Sequence, residues 1–369
     1  MNFALGNVNI ALVGKSPIVE HLGKILEVIQ TKESKTDLVF EFVDELPHWT
    51  DQSYIPIENY IISDDRLRVT DKLFCYELRP FENPPKVSVA IRKTDFFRKA
   101  QRAIRKSWRY FHTHNRSAYL HYLKRFVFYV YMPLVEMILL KNHASLAHCS
   151  AVEKENRVVL FAAWGGVGKT GIMSRYLNGD WKFLADDSCI ITDEGIAYIH
   201  PLPMHIYKYH ETQSRELVKK MLSQSSMFDK LLWRTLSFIK KPDKLVRWVS
   251  ADKVFGNDKI STQGNVSTVI HMHKQVGYDT FKLETIAPNQ VSKLMANTML
   301  DEINNLANTA IVVHSCKPSN FIPDISHLHR CITDIYSSAF RKANCYTIAI
   351  PKHATAESIY DFIENNKLL

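Results

Sequence analysis

The chain has 369 residues, of which 46% are hydrophobic, and its formal net charge at pH 7 is +9. This composition is typical of a globular protein of one or two domains, and the sequence contains no low-complexity run. The N-terminal residues lack the basic and apolar regions of a secretory signal, and the longest apolar run, residues 126–140, is too short to span a membrane. The six cysteines form no C-x-x-C pair, so we expect reduced thiols in a cytoplasmic protein.

Residues 1–115 are predicted to form a small N-terminal domain. An apolar run at residues 8–13 is typical of a strand, and residues 17–30 have the spacing of an amphipathic helix. Further strands are predicted at residues 37–43, 60–62, 74–78 and 87–91. These elements indicate a mixed α/β or β-rich domain.

Gly14-Lys15-Ser16, between the first strand and the first helix, resembles part of a phosphate-binding loop. The motif requires a glycine five residues before Gly14, and Asn9 stands there instead. We therefore predict no nucleotide site at this turn.

Residues 92–125 contain eleven Lys and Arg against Asp95 alone, a local charge of +10. Ile104, Trp108 and Phe111 recur three to four positions apart among these cations, which predicts a basic amphipathic helix. In the simplest interpretation this helix packs its aromatic stripe on the rest of the protein. Binding to a nucleic-acid backbone or to an anionic membrane surface is the alternative, which the sequence does not favour.

The most informative stretch begins with an apolar run at residues 158–162, of the length and β-branched character of a buried strand. A glycine cluster follows, then Lys169-Thr170, then apolar residues at helical spacing. Strand, glycine turn, Lys-Thr and helix in this order are typical of a phosphate-binding loop. The pattern G-x-x-x-x-G-K-[ST] is broken at Ala163, where glycine is usual, and alanine fits only if its φ is negative and the loop leaves room for Cβ.

Such a loop binds phosphate because glycine lets successive N–H groups point at one anion, while the helix N-terminus adds its dipole. Lys169 would reach the β- and γ-phosphates, and the Thr170 hydroxyl would bind Mg²⁺. The predicted nucleotide-binding residues are Gly165, Gly166, Val167, Gly168, Lys169, Thr170 and Gly171.

Two flanking motifs are predicted to lie beside this loop. Residues 148–152, His-Cys-Ser-Ala-Val, precede a tight turn and should pair antiparallel with the strand before the loop, which places His148 near the bound phosphates. Asp186 and Asp187 end a strand after the helix. Successive side chains of a strand point in opposite directions, so one carboxylate could face a metal and the other an acceptor.

Together, H-x-S-A-V, the glycine loop and Ala185-Asp186-Asp187 resemble the HPr kinase/phosphorylase family and its relatives with the phosphoenolpyruvate-carboxykinase-type nucleotide fold. The resemblance covers about residues 135–210 and departs from the family at Ala163 and at Gly165, where serine is usual.

This resemblance implies a P-loop kinase core that uses ATP and Mg²⁺. It implies that Asp186 is the general base for the acceptor hydroxyl and that Asp187, with Thr170, helps to hold Mg²⁺. It also implies that His148 lies beside the transferred phosphoryl group, which makes His148, Lys169 and Asp186 the expected catalytic residues.

Residues 116–369 are therefore predicted to form the kinase domain, in an α/β fold with mixed sheets. An apolar helix at residues 118–141, kinked or started near Pro133, leads into it. Residues 211–255 are basic and are predicted to form a helical insertion that covers the acceptor site or is purely structural. The remaining predicted elements are a hairpin at residues 190–199, strands at 268–273, 278–283, 309–314 and 345–350, and helices at 289–306, 323–340 and 354–365.

Three functions are compatible with these patterns. The favoured one is an ATP-dependent kinase whose acceptor is a hydroxyl group, either a serine of a protein or peptide or a small hydroxyl compound. The surplus of basic residues hints at an anionic acceptor. The alternatives are a nucleotide-binding regulator or assembly protein with little turnover, and a protein that binds nucleic acid or an anionic surface and uses nucleotide as a switch.

Overall fold

The computed structural model describes residues 1–33, 35–49, 54–92, 118–277, 279–317 and 321–369. Most of the basic segment predicted as a helix at residues 92–125 lies outside this part of the chain. The described residues group into two compact units, the first containing residues 1–92, 118–142 and 303–330, and the second containing residues 143–302 and 331–369. This division differs from the one predicted at residue 115, because residues 118–142 and 303–330 group with the N-terminal elements.

The strands of the described residues are β1 Asn2–Leu5, β2 Val8–Val13, β3 Gln30–Thr31, β4 Leu38–Val43, β5 Ile55–Ile57, β6 Tyr60–Ile62, β7 Leu67–Thr70, β8 Phe74–Arg79, β9 Lys86–Ile91, β10 Ala144–Ala147, β11 Cys149–Lys154, β12 Arg157–Ala163, β13 Lys182–Ala185, β14 Cys189–Thr192, β15 Ile196–Ile199, β16 Met204–Tyr207, β17 Val246–Val249, β18 Gln263–Gln275, β19 Lys282–Thr285 and β20 Asn344–Pro351.

The α-helices of the same residues are α1 Pro17–Ile25, α2 Ala118–Phe126, α3 Met132–Lys141, α4 Lys169–Tyr176, α5 His210–Gln213, α6 Arg215–Ser223, α7 Met227–Ile239, α8 Ala251–Phe255, α9 Pro288–Glu302, α10 Asn304–Cys316, α11 Ile325–Ala339 and α12 Ala356–Asn365. The chain is thus mixed α/β, as predicted. Within the described residues, no helix is both long enough and apolar enough to cross a lipid bilayer.

The first unit is built on a mixed sheet whose strand order, in the described residues, is β3-β1-β2-β4-β9-β8-β7-β6-β5. Phe126, at the end of α2, packs against Phe40, Phe42 and Phe74 of this sheet, with ring centroids 5.1–6.0 Å apart. The π-helical turn Val127–Tyr131 joins α2 to α3, and Pro133 lies directly after it, in the first turn of α3.

The second unit is built on a sheet with the strand order β10-β14-β15-β18-β12-β11-β13, in which β20 pairs with β18 and β19 pairs with β20. The strands β12, β18 and β20 run parallel, and β11 lies antiparallel to both β12 and β13. The carboxyl ends of β12 and β13 therefore meet the amino end of β11 at one edge of the sheet. This topology brings the residues before β11, after β12 and after β13 together.

Most predicted elements of the second unit are confirmed. The strand containing residues 149–152 pairs antiparallel with β12, and β14 and β15 form the predicted hairpin. The strand predicted at residues 278–283 appears slightly later, as β19. The insertion contains helices α6 and α7, but its second part forms β17, which pairs with β16.

Two other assignments were wrong. Residues 309–314 were predicted as a strand, but they lie within α10, even though Ile311, Val312 and Val313 are β-branched. Helical spacing of buried Leu306, Ala310 and Val313 prevails over the local strand preference. The first helix was predicted to continue to residue 30, and α1 ends at Ile25.

Candidate active site

The predicted phosphate-binding loop lies between β12 and α4. The strand ends at Ala163, the turn covers residues 164–168, and α4 begins at Lys169. Gly166 and Gly168 have φ values of 79° and 115°, which L-residues with a side chain rarely adopt. These two glycines therefore have a conformational reason to be glycine, and the turn delivers the chain to the N-terminus of a helix.

The turn has open space beside two of its glycines. A Cβ placed on Gly165 or Gly166 would meet no heavy atom within 4 Å in the described part of the chain, apart from its sequence neighbours. Val167 is buried, whereas the Trp164 side chain is 49% exposed at the rim. The space beside these two glycines is therefore free for an approaching anion.

Ala163 stands where the loop motif usually has glycine. It is the last residue of β12, its φ is not positive, and its side chain lies in the hydrophobic core that continues beneath α4. The alanine Cβ thus points into the core, so the departure from the motif leaves the loop intact.

Lys169 folds back against the loop. Its Nζ donates hydrogen bonds to the carbonyl of Ala163, at 2.5 Å, and to Nε2 of His148, at 2.8 Å. The side chain is 6% exposed, and burial lowers the pKa of the ammonium group, while the carboxylates of Asp187 and Asp186 oppose this shift. The structure therefore brings Lys169 and His148 together, as the sequence predicted.

His148 links this lysine to a carboxylate. Its Nδ1 lies 3.3 Å from Oε1 of Glu302, at the end of α9. Burial, followed by the nearby charge of Lys169, lowers the pKa of His148 to about 4. The imidazole is therefore neutral near pH 7, accepting at Nε2 and carrying its proton at Nδ1.

Asp186 is 1% exposed and faces hydroxyl groups. Its Oδ1 accepts from Ser150 Oγ at 2.6 Å, and its two carboxylate oxygens lie 2.9 and 3.2 Å from the Thr170 hydroxyl. Burial, and then the charge of Asp187, raise the pKa of Asp186 above its ordinary value. The carboxylate that lies beside Thr170 is therefore Asp186.

Asp187 points elsewhere. Its Oδ2 accepts a hydrogen bond from His205 Nδ1 at 2.5 Å, and its side chain is 33% exposed. Burial alone would raise the pKa of Asp187, but His205, His148 and Lys169 together hold it below its ordinary value. Its φ of 67° is unusual for a residue with a side chain and is the kind of backbone strain found at functional sites.

The groups around Thr170 fit a magnesium ion. A buried carboxylate and two hydroxyl groups converge there, and Mg²⁺ in phosphate-transfer sites is typically held by oxygen ligands, namely one or two carboxylates and the substrate phosphates. No cluster of three or more His, Cys, Asp or Glu able to hold a metal exists among the described residues. A site of this type would depend on bound phosphate to complete the coordination.

Two other predicted features lie away from the open turn. Gly171 sits inside α4, where a Cβ would come within 2.2 Å of Ser214 Oγ and 2.7 Å of Ala356 Cβ, so it faces a helix contact. At Gly14-Lys15-Ser16, in the first unit, a Cβ on Gly14 would come within 2.4 Å of the Phe42 carbonyl oxygen, and Ser16 caps α1. Both glycines are required by packing.

Sequence reasoning missed three residues of the site. Ser150 lies in the H-x-S motif, two residues from His148, and period-two alternation could have indicated that both side chains face the same side. His205 follows the Pro201–Pro203 stretch without a local signal. Glu302 is far from His148 in the sequence, and only the packing of α9 on the sheet shows their proximity.

Comparison of the sequence with protein-family models gives no match, and comparison with curated proteins gives no significant match. Among solved structures, the Hpr(Ser) kinase/phosphatase from Coxiella burnetii is similar to this chain, with a TM-score of 0.29 and 12% sequence identity. The similarity covers 61% of this chain and 97% of that one. Similarity at this level gives no information about activity, which has to be inferred from the residues themselves.

Proposed function

We propose that the second unit is an ATP-dependent kinase that transfers the γ-phosphoryl group to a hydroxyl acceptor. One observation carries this proposal. The open glycine turn, Lys169, the Thr170–Asp186 pair and a second carboxylate, Asp187, all meet at one edge of the sheet. These are the groups that phosphoryl transfer requires for positioning and charge neutralisation.

The triphosphate would bind along the turn. The N–H groups of residues 165–169 would bind its phosphate oxygens, since there is open space beside Gly165 and Gly166 and the N-terminus of α4 contributes its dipole. Lys169 would leave the Ala163 carbonyl and contact the β- and γ-phosphates. Because its present partners are a carbonyl and a neutral imidazole, this exchange breaks no ion pair.

Magnesium would be held by Thr170 and Asp186, and when bound it neutralises charge on the phosphate oxygens. The sequence-based hypothesis paired Thr170 with Asp187. The distances favour Asp186 instead, because its carboxylate contacts the Thr170 hydroxyl while that of Asp187 contacts His205.

This geometry makes Asp187 the better candidate for the general base. It is the more exposed of the two carboxylates, and His205 orients it. In the proposed step the acceptor oxygen forms a bond to the γ-phosphorus as the bond to the β-phosphate oxygen breaks. The proton of the acceptor hydroxyl passes to Asp187, and ADP leaves.

The test is transfer of radiolabelled γ-phosphate from ATP to a panel of serine peptides, free hydroxy amino acids and the chain itself. Asp187→Asn should lower transfer by about 10²–10⁴-fold and leave ATP affinity nearly unchanged, because a general base acts in the transition state. Asp186→Asn should instead remove the effect of Mg²⁺ on ATP affinity.

Asp361→Asn, at an exposed carboxylate of the same unit, is the matched control and should behave as wild type. Full transfer by Asp187→Asn would refute the assignment of the base. A wild-type chain that binds ATP but transfers nothing to any acceptor, water included, would contradict the proposed activity.

A further inference from the structure

The helix α7 of the insertion has one face packed in the second unit. Leu232, Trp233 and Leu236 are 8%, 1% and 2% exposed, and Trp233 Nε1 donates to Glu211 Oε1 at 2.5 Å. Ser226 caps the helix by accepting a hydrogen bond from the Asp229 N–H. These contacts hold α7 in place and fix which of its faces points outward.

The outward face of α7 is apolar. Met227, Leu231 and Phe238 are 79%, 63% and 92% exposed, and Ile239 at the helix end is 66% exposed. At 100° per residue, positions 227, 231 and 238 fall within about 40° of one another, directly opposite the packed face. Exposing large apolar side chains together in water is unfavourable, and a contiguous apolar patch of this kind is typical of an interaction surface.

Basic side chains border this face. Arg234 lies on the same face of α7 as Leu231, and Lys230 lies next to Arg234 around the helix. Lys240 and Lys241 follow the end of the helix. Over residues 227–241, these four cations oppose one carboxylate, Asp229, for a net charge of +3. Asp229 is turned inward, where it lies 3.5 Å from Arg247, so it does not offset the outward charge.

We propose that this outward face of α7 docks on the surface of an anionic lipid bilayer. The apolar side chains would enter the boundary between headgroups and acyl chains, while the cations contact lipid phosphates and carboxylates. This inference is independent of the phosphoryl-transfer proposal, since it depends only on the outer surface of α7.

Charge and packing argue against other occupants. In a symmetric dimer with antiparallel α7 helices, Arg234 and Lys230, near the middle of the helix, would lie close to the same cations of the other copy. A protein that encloses an amphipathic helix needs access around it, and the inner face of α7 is packed through Trp233. A nucleic-acid backbone offers nothing to Met227, Leu231 and Phe238. A flat, anionic surface with an apolar interior satisfies both kinds of side chain.

The experiment is flotation of the full chain, without nucleotide, with vesicles of phosphatidylcholine alone and with vesicles of phosphatidylcholine and phosphatidylserine. We expect binding only to the anionic vesicles, weakening as salt increases. Lys240→Glu with Lys241→Glu should lower the partition coefficient by at least roughly tenfold, and Leu231→Ser with Phe238→Ser by a similar factor.

Matched controls use exposed residues elsewhere in the same unit. Val276→Ser and the pair Lys274→Glu with Lys352→Glu change the same types of side chain away from α7 and should bind as wild type. Equal binding to neutral and anionic vesicles, no binding to either, or unchanged binding by the α7 variants would overturn the proposal. A concentration-dependent dimer that Phe238→Ser dissociates would overturn it in favour of a second copy.

Discussion

At the scale of single residues, His148 lies between Lys169 of the loop and Glu302 at the end of α9. It accepts from Lys169 at one ring nitrogen and faces Glu302 with the other. In the proposed reaction Lys169 would change partners when phosphate binds, and the orientation of His148 would then decide which group faces the transferred phosphoryl. Glu302, 31% exposed in its side chain, lies 3.3 Å from His148 and in the proposed reaction would hold that orientation, as a positioning residue.

We therefore expect Glu302→Gln to lower kcat about tenfold and leave the KM for ATP unchanged, because the lost carboxylate orients a transition-state contact without touching the nucleotide. Glu302→Asp should recover part of the lost rate. Steady-state kinetics would measure both parameters.

Asp301→Asn changes the exposed carboxylate next to Glu302 and serves as the control, with no effect expected. A Glu302→Gln variant whose KM rises while kcat stays constant would show that the residue supports binding of the nucleotide and not the orientation of His148.

Much of the residue-scale hypothesis could be reached from sequence, because its motifs are local. The pairing of His148 with Lys169 follows from the loop and the adjacent strand. The division of labour between Asp186 and Asp187 could not, since strand alternation says only that they face different ways. Which of them faces Thr170 depends on how β13 is set against α4.

At the scale of elements, the contact between α4 and α12 fixes the position of the loop. Gly171 lets Ser214 and Ala356 approach α4 closely, whereas Gly165 faces open space. We expect Gly171→Ala to lower the free energy of unfolding of the second unit by about 1–3 kcal/mol, because an added methyl group overpacks this contact. Thermal or denaturant unfolding would measure the change.

Gly165→Ala adds the same methyl group without a clash and has no positive φ to strain, so it should unfold as the wild type. If both variants lost stability equally, the close approach at Gly171 would not be the cause.

Sequence patterns predicted the elements near the site well, since a strand, a glycine turn and an amphipathic helix carry strong local signals. They failed at α10, where the β-branched residues 311–313 favour a strand but the buried spacing is helical. They also missed β17, because its pairing with β16 is determined by contacts across the intervening helices.

At the scale of the whole molecule, the chain leaves the first unit at residue 142, builds most of the second, and returns to the first for residues 303–330. It then completes the second unit with β20, which pairs with β18, and α12. A sequence-based boundary at residue 115 could not capture this, since nothing local marks a segment that leaves a unit and returns.

Ligand binding to one unit of such a chain is measurable as stability. If ATP binds only the folded second unit, roughly a hundredfold excess over Kd adds about 2.7 kcal/mol to its unfolding free energy. AMP, which lacks the β- and γ-phosphates, should add far less.

The most direct test of the central claim is calorimetric titration of the chain with ATP, ADP and AMP in the presence of Mg²⁺. The account predicts that affinity falls in that order and that Lys169→Met abolishes ATP binding in a folded chain. It also predicts that Lys15→Met, in the Gly14-Lys15-Ser16 turn, has no effect. Binding of ATP that survives Lys169→Met but is lost in Lys15→Met, or AMP binding as tight as that of ATP, would contradict it.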